Sequence, residues 1–300
     1  MLTYFLTGST GYIGGAIADE LVKRGHQVRG LVRSQEKAAQ LSERGITPVL
    51  GDLDASELLT NEAKNSDGVI NTANADHARA INALITGLAG SGKPLIHTSG
   101  SSVVGDDARG AYCSSAIFDE NTPMIVNPRK QARRDIDLMV LGAAQQNIRS
   151  VVICPSNIYG LGSGLNPNSL QVPFLAENAR NNGVVQIVGQ GLNTWSNVHI
   201  DDLVDLYIRA LANAPAGAFY FAENGEESFR NIGQALAKRL GLSDVEALDP
   251  ELAAQRWGET RAYFTYGSNS RVRAARARQE LGWKPRHSSV TDWILNELPI

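Results

Sequence analysis

A glycine turn of fixed spacing, Gly8-Ser9-Thr10-Gly11-Tyr12-Ile13-Gly14, stands directly behind an apolar strand-like run and directly ahead of a helix-like stretch. Strand, then G-x-x-G-x-x-G, then helix is an order that restricts the fold strongly. Glycines let the backbone turn tightly and approach a pyrophosphate, and a helix N-terminus offers free N–H groups and partial positive charge. The spacing predicts a dinucleotide cradle built from Gly8, Ser9, Thr10, Gly11, Tyr12, Ile13 and Gly14. A plain glycine-rich strand–helix turn satisfies the same pattern.

The first half of the chain repeats this alternation. Strand patterns at 2–7, 27–33, 46–50, 68–72, 95–98 and 150–154 alternate with helical patterns at 12–24, 35–44, 55–64, 76–89 and 130–145. In the first helix Ile13, Ile17, Leu21 and Val22 form one stripe, and Gly25 stops it. Strands that alternate with helices build a parallel sheet covered on both faces. Val151-Val152-Ile153 is apolar throughout, as burial on both faces requires. The second half has shorter elements and more loops, with helices expected at 169–181, 201–212, 229–240 and 274–281 and strands at 185–188 and 218–221. The expected fold is an α/β, doubly wound parallel-sheet Rossmann domain with a smaller C-terminal α/β substrate lobe. Residues 1–165 would form the dinucleotide domain, with 195–222 returning to it, and 166–194 with 223–300 would form the lobe.

Composition removes several function classes. The 300 residues carry a net charge of −3, so no broad basic face for nucleic acid is expected. Two cysteines, Cys113 and Cys154, are too few for a disulfide framework and point to a reduced setting. The five histidines are scattered, and no CxxC or HExxH spacing suggests a metal. No apolar run approaches membrane length, and the first 20 residues carry no charged n-region or cleavage site. The expectation is a soluble cytoplasmic protein that takes a small-molecule substrate, with no nucleic acid and no membrane as partner, as a monomer or homodimer.

The second strand refines the cofactor. Strands of this kind often end in a carboxylate on the ribose 2′-OH of NAD. Here the strand ends Leu31-Val32-Arg33-Ser34, with no carboxylate. Arg33 pairing a 2′-phosphate and Ser34 hydrogen-bonding it favours NADP, with NAD possible. Asp52 and Leu53, after the third strand, would bracket the adenine, or Asp52 would cap the next helix. Thr72, Ala73 and Asn74, after the fourth strand, would let the backbone lie against ribose and diphosphate.

These stretches resemble the extended short-chain dehydrogenase/reductase family, which includes nucleotide-sugar epimerases and dehydratases. The resemblance rests on Thr7-Gly8-x-x-Gly11-x-x-Gly14, Asn71-Thr72-Ala73, the segment His97 to Gly105, Pro155-Ser156-Asn157-Ile158-Tyr159-Gly160, Val198-His199-Ile200-Asp201-Asp202 and Leu281-Gly282-Trp283-Lys284-Pro285. It implies further cofactor contacts from Thr98, Pro155 and Asn157, and a pairing of the helices at 76–89 and 130–145 across a dimer. It also implies a catalytic Ser or Thr after the fifth strand and a Tyr-x-x-x-Lys on the following helix.

Those catalytic positions depart from the family. Counting back from Pro155, Tyr and Lys fall on Arg129 and Arg133, with Asp137 supporting the register, and the Ser/Thr position falls on Gly100. Arginine does not shed a proton near neutral pH, so neither arginine can be the acid/base. Arg133 remains a candidate for ribose or phosphate, Arg129 for polarising a carbonyl, Ser101 for placing the substrate and Tyr112 for supplying the proton. Solvated charge is the competing reading for both arginines. His97 reads as a satisfied core residue, and Tyr159 and His199 as packing or capping residues. The expected function is an NADP-preferring, atypical reductase of a small carbonyl. Alternatives are a catalytically silent NADP-binding sensor and, less favoured, a nucleotide-sugar epimerase or dehydratase.

Overall fold

Seven parallel strands form the scaffold in a computed structural model that describes residues 1–299. In chain order the strands are β1 (Thr3–Thr7), β2 (Gln27–Val32), β3 (Thr47–Leu50), β4 (Gly68–Asn71), β5 (Pro94–Thr98), β6 (Arg149–Pro155), β7 (Asn157–Tyr159), β8 (Val185–Val188), β9 (Thr194–His199), β10 (Ala218–Ala222), β11 (Glu226–Ser228) and β12 (Val245–Leu248). The large sheet has the order β10-β6-β5-β4-β1-β2-β3, and every neighbouring pair in it is parallel. The chain runs outward from β1 to β3 and then returns to β4 on the other side of β1. That reversal makes a crevice at the carboxyl ends of β1 and β4, where open α/β sheets bind ligands.

The helices are α1 (Tyr12–Lys23), α2 (Gln35–Glu43), α3 (Ser56–Asn65), α4 (Ala78–Leu88), α5 (Gln131–Gly142), α6 (Gln171–Asn182), α7 (Ile200–Asn213), α8 (Phe229–Leu240), α9 (Pro250–Trp257), α10 (Ala275–Leu281) and α11 (Val290–Asn296). On one face α4 packs against α3 and α5, and on the other α1 packs against α7. Phe5, Leu6, Val69, Ile70, Leu95, Ile96 and Val151 to Ile153 are fully buried between these layers. Apolar surface on both sides of each central strand supplies the main drive for this sandwich.

The smaller lobe has its own aromatic core, with Tyr159, Trp195, Phe229, Trp257, Tyr266 and Trp293 at its centre. It carries a three-stranded sheet, β11-β9-β7, and a two-stranded sheet, β12-β8. The segment after a π-helical turn (Thr260–Thr265) runs back over the loop that follows β5. Ser270 donates to the Ser101 carbonyl, and Asn269 bonds the Asp106 carboxylate.

Three details differ from the sequence expectation. The helix expected over 130–145 is divided into a 3₁₀ turn (Pro128–Lys130), α5 and a second 3₁₀ turn (Ala143–Gln146). Asn127 causes the first division by accepting from the Arg129 N–H ahead of Pro128. Asn147, at φ 53°, closes the last turn. Strands β7, β9, β11 and β12 were not anticipated, and neither were α9 and α11. Among the described residues, no helix is long and apolar enough to cross a membrane.

Candidate functional site

The cradle begins where β1 ends. Gly8 sits at φ +76°, and a Cβ there would stand 2.7 Å from Thr72 Oγ1. A Cβ on Gly14 would overlap the Gly8 carbonyl oxygen. These two positions hold α1 so close to the β1 and β4 turns that only glycine fits. Gly11 is the N-cap residue of α1 and makes no side-chain cap bond. The helix start therefore presents its N–H groups without a capping side chain. Gly11, Tyr12, Ile13, Gly14 and Thr72 line a cavity of about 500 Å³ in the crevice. Thr72 is fixed by donating its hydroxyl to the Thr7 carbonyl at 2.8 Å.

Several polar residues of the expected set are engaged elsewhere. Ser9 is buried and donates to the Leu31 carbonyl. Tyr12 donates to the Gly160 carbonyl at 2.9 Å and ties the cradle to the loop beyond β7. Thr98 shares a 2.6 Å bond with the hydroxyl of Tyr207 on α7, and Asn157 donates to Asn197. None of Ser9, Thr98 and Asn157 lines the cavity, whereas Pro155 does. Thr10 and Ala73 flank the lining residues, and Asn74 accepts from the Asp76 N–H. At the end of β2, Arg33 is exposed and has no carboxylate partner among the described residues. Ser34 caps α2 by accepting from the Lys37 N–H at 3.3 Å. Asp52 accepts from the N–H groups of Asp54 and Ala55 and so closes the turn into α3. Leu53 packs against the main core.

The far end of the cavity holds Ser99, Gly100, Ser101, Ser102, Lys130 and Arg133. Arg133 makes two bonds to Asp76, Nε–Oδ1 at 2.8 Å and Nη2–Oδ2 at 2.6 Å, and its side chain is 19% exposed. This pairing holds the Asp76 carboxyl below the usual carboxylate range. A Cβ on Gly100 would stand 3.3 Å from Arg133 Nη1, so the glycine leaves room for the guanidinium. Ser102 Oγ accepts weakly from the same nitrogen at 3.5 Å. Ser101 is buried, and its Oγ shares a 2.8 Å bond with the Ser270 hydroxyl, whose own proton goes to the Ser101 carbonyl.

Two expected catalytic residues lie outside the cavity. Arg129 turns outward to Glu259 at 3.0 Å, with both side chains more than 60% exposed. Tyr112 is 49% exposed near Asp106 and Asp107, because Asn269 and Asp106 fasten its loop to the smaller lobe. Lys130, which the sequence reading passed over, does line the cavity, with Nζ 5.5 Å from the centre of the Phe264 ring. Its signal was its place beside Arg129 at the helix entrance, where a 3₁₀ turn decides which side chain faces in.

Away from this cavity, His199 and His287 stack at 3.9 Å, and Asp202 holds His287 Nδ1 at 3.1 Å. His199, Asp201 and His287 bring ligand-type atoms within 4.8 Å of one another. The near-parallel rings, 23° apart, aim their lone pairs side by side rather than at one point, which is poor ligation geometry.

The sheet order, the uncapped glycine turn at its switch point and the cationic cavity beside it define the class: a doubly wound α/β protein with a nucleotide-type phosphate cradle. Residues 4–220 match the NAD dependent epimerase/dehydratase family, and the chain belongs to that family. It is 32% identical over 322 residues to the oxidase ucsJ of an Acremonium species, covering 94% of this chain and 92% of that protein. It is 27% identical over 237 residues to a farnesyl dihydroquinoline-oxide ketoreductase of Stigmatella aurantiaca, covering 74% and 68%. Among solved structures, dTDP-glucose 4,6-dehydratase from Streptomyces venezuelae, with NAD bound, superposes with a TM-score of 0.78 at 19% identity, covering 98% of this chain and 95% of that one. Its relatives include an oxidase, a ketoreductase and a UDP-glucose 4-epimerase.

Proposed function

We propose that this chain is an NADP-preferring oxidoreductase that reduces a small carbonyl compound. The observation that carries the reading is spatial. The phosphate cradle and a cluster of cationic and hydroxyl side chains open into one cavity. The oxidoreductase names among the relatives support it.

The residues fit a nicotinamide dinucleotide. Gly8 and Gly14 leave space that a Cβ would fill, and the N–H groups at the start of α1 suit a diphosphate. Arg33 stands free where a carboxylate would repel a 2′-phosphate, and the Ser34 hydroxyl keeps its proton to donate beside it. Bound there, the cofactor supplies hydride chemistry. The chain's own groups orient and polarise. Arg133, held rigid by Asp76, presents fixed positive charge to a ribose hydroxyl or a developing oxyanion. Ser101, held by Ser270, places a hydroxyl oxygen at the substrate end of the cavity.

Turnover tests the reading. With NADPH, a panel of small aldehydes and ketones should bleach the reduced-nicotinamide absorbance. NADPH held tightly with no turnover across the panel would contradict the reductase and leave the sensor alternative.

A further inference from the structure

Of the four cations at the start of the helix that enters the cavity, Arg134 lies over the Phe219 ring beside Asp137, and the structure separates the tasks of the other three. Arg129 leaves for solvent and Glu259. Arg133 is clamped by two bonds to Asp76. Lys130 lines the cavity, is half-buried against the Phe264 ring, and has no carboxylate partner among the described residues.

The other titratable groups facing the cavity are Tyr12 and Arg133. The Tyr12 hydroxyl is committed to the Gly160 carbonyl, and burial and Asp201 push its pKa up. Arginine keeps its proton throughout the working pH range. A serine hydroxyl that gave its proton to an alkoxide would itself be left as an alkoxide, so unaided it gains nothing. Among the described residues that line the cavity, the Lys130 amine is the exchangeable acid left.

We propose that Lys130 is the catalytic proton donor, a role that rests on the carbonyl-reductase reading of this site. Hydride arrives at the carbonyl carbon from the reduced dinucleotide, and the π electron pair moves to oxygen. That oxygen forms an O–H bond as one N–H bond of the Lys130 ammonium breaks. The alcohol leaves with the proton, and the neutral amine regains one from water. Atoms and electrons balance with NADPH as the only reductant.

The surroundings suit this task. Burial, and then the positive charge of Arg133, lower the Lys130 pKa below the usual lysine range, and Asp76 opposes them more weakly. Arg129 and Glu259 neutralise each other further out. A donor pKa nearer the working pH transfers its proton more readily. Reduction needs the protonated amine, so kcat/KM should be level at low pH and fall as pH rises through the lowered pKa.

The test compares wild type, Lys130→Arg and Lys130→Gln with NADPH and two probes, 4-nitrobenzaldehyde and butane-2,3-dione. Both variants should bind NADPH as wild type does and lose about 100-fold or more in kcat/KM, and the falling alkaline limb should vanish. Lys130→Arg keeps charge and bulk, so wild-type turnover and an unchanged pH profile in that variant would overturn the proposal. Competitive acetylation with acetic anhydride, read by mass spectrometry on the NADP⁺-loaded protein, needs no variant. Lys130 should become reactive at lower pH than added Nα-acetyllysine, and titration in step with that standard would overturn the proposal whatever the turnover. A wild type that binds NADPH and reduces neither probe overturns the reductase reading itself, and the donor role with it.

Discussion

Replacing Asp137 by Asn should make the protein gain stability, relative to wild type, as pH rises from about 4 to about 6.5. Asp137 and His97 lie under the cavity, both fully buried, with Asp137 Oδ1 and His97 Nε2 facing each other at 3.8 Å. The Asn71 amide nitrogen meets His97 Nδ1 at 3.0 Å, which leaves the imidazole proton on Nε2. Ser99 donates to the other Asp137 oxygen at 2.9 Å. Burial raises the Asp137 pKa from 3.8 to about 6, against the lowering effect of Ser99 and Arg134. The folded state thus binds this proton more tightly than the unfolded state. The contribution is full below about 3.8 and is lost as pH rises through about 6. Burial and Arg133 lower the His97 pKa from 6.5 to about 4. Its contribution is full above 6.5 and is lost as pH falls through about 4. At about 1.4 kcal/mol per pH unit, each group is worth about 3 kcal/mol, with opposite sign. In wild type the two slopes nearly cancel. Asp137→Asn leaves the His97 slope, so stability should climb by about 3 kcal/mol relative to wild type across the window. His97→Gln leaves the Asp137 slope and should fall by a similar amount. Urea unfolding at a series of pH values measures both, because titration of the remaining carboxylates is common to all three proteins. Parallel pH profiles for wild type and both variants would refute the reasoning.

Other outcomes follow from single contacts. Arg33→Ala should weaken NADPH about 10-fold or more, in line with the loss of a charge-assisted bond, and leave NADH nearly unchanged in a fluorescence titration. Gly14→Ala forces a Cβ onto the Gly8 carbonyl and should cost about 1–3 kcal/mol in a thermal melt while abolishing dinucleotide binding. Asp76→Ala releases the clamp on Arg133 and should lower kcat on a carbonyl probe more than it weakens NADPH. Gly160→Ala places a Cβ on the His199 ring at φ +99° and should destabilise the join between cradle and smaller lobe, seen as a lower Tm.

The scaffold was legible because its strands are buried on both faces. Such strands carry unbroken apolar runs, as in Val69-Ile70, Leu95-Ile96 and Val151 to Ile153, and the glycine turn marks the first crossover. Strands β7, β9, β11 and β12 are not legible as unbroken apolar runs, because they carry polar residues such as Asn157, Ser196, Asn197, Glu226, Glu227 and Glu246. Their pairing is set by contacts between distant segments, which local pattern does not encode. At the site, the register from Pro155 brought Arg133 to the cavity. The same count gave no hint that Lys130 faces inward and Arg129 outward. That choice belongs to the Asn127 cap and the Pro128 turn, which rotate the helix entrance. Tyr112 is a sequence candidate by its place in the loop after β5, yet Asn269, more than 150 residues away in sequence, fixes that loop against the lobe. Ser9, Thr98 and Asn157 show a similar limit: polar side chains near a cradle also serve the backbone and one another.

The central claim is that the glycine turn and Arg33 together hold NADP(H). A titration of the wild-type protein with NADPH and with NADH, followed by nicotinamide fluorescence, tests it most directly. NADPH should saturate the site well below millimolar concentration and bind more tightly than NADH. Binding of neither, or tighter binding of NADH, would contradict the account.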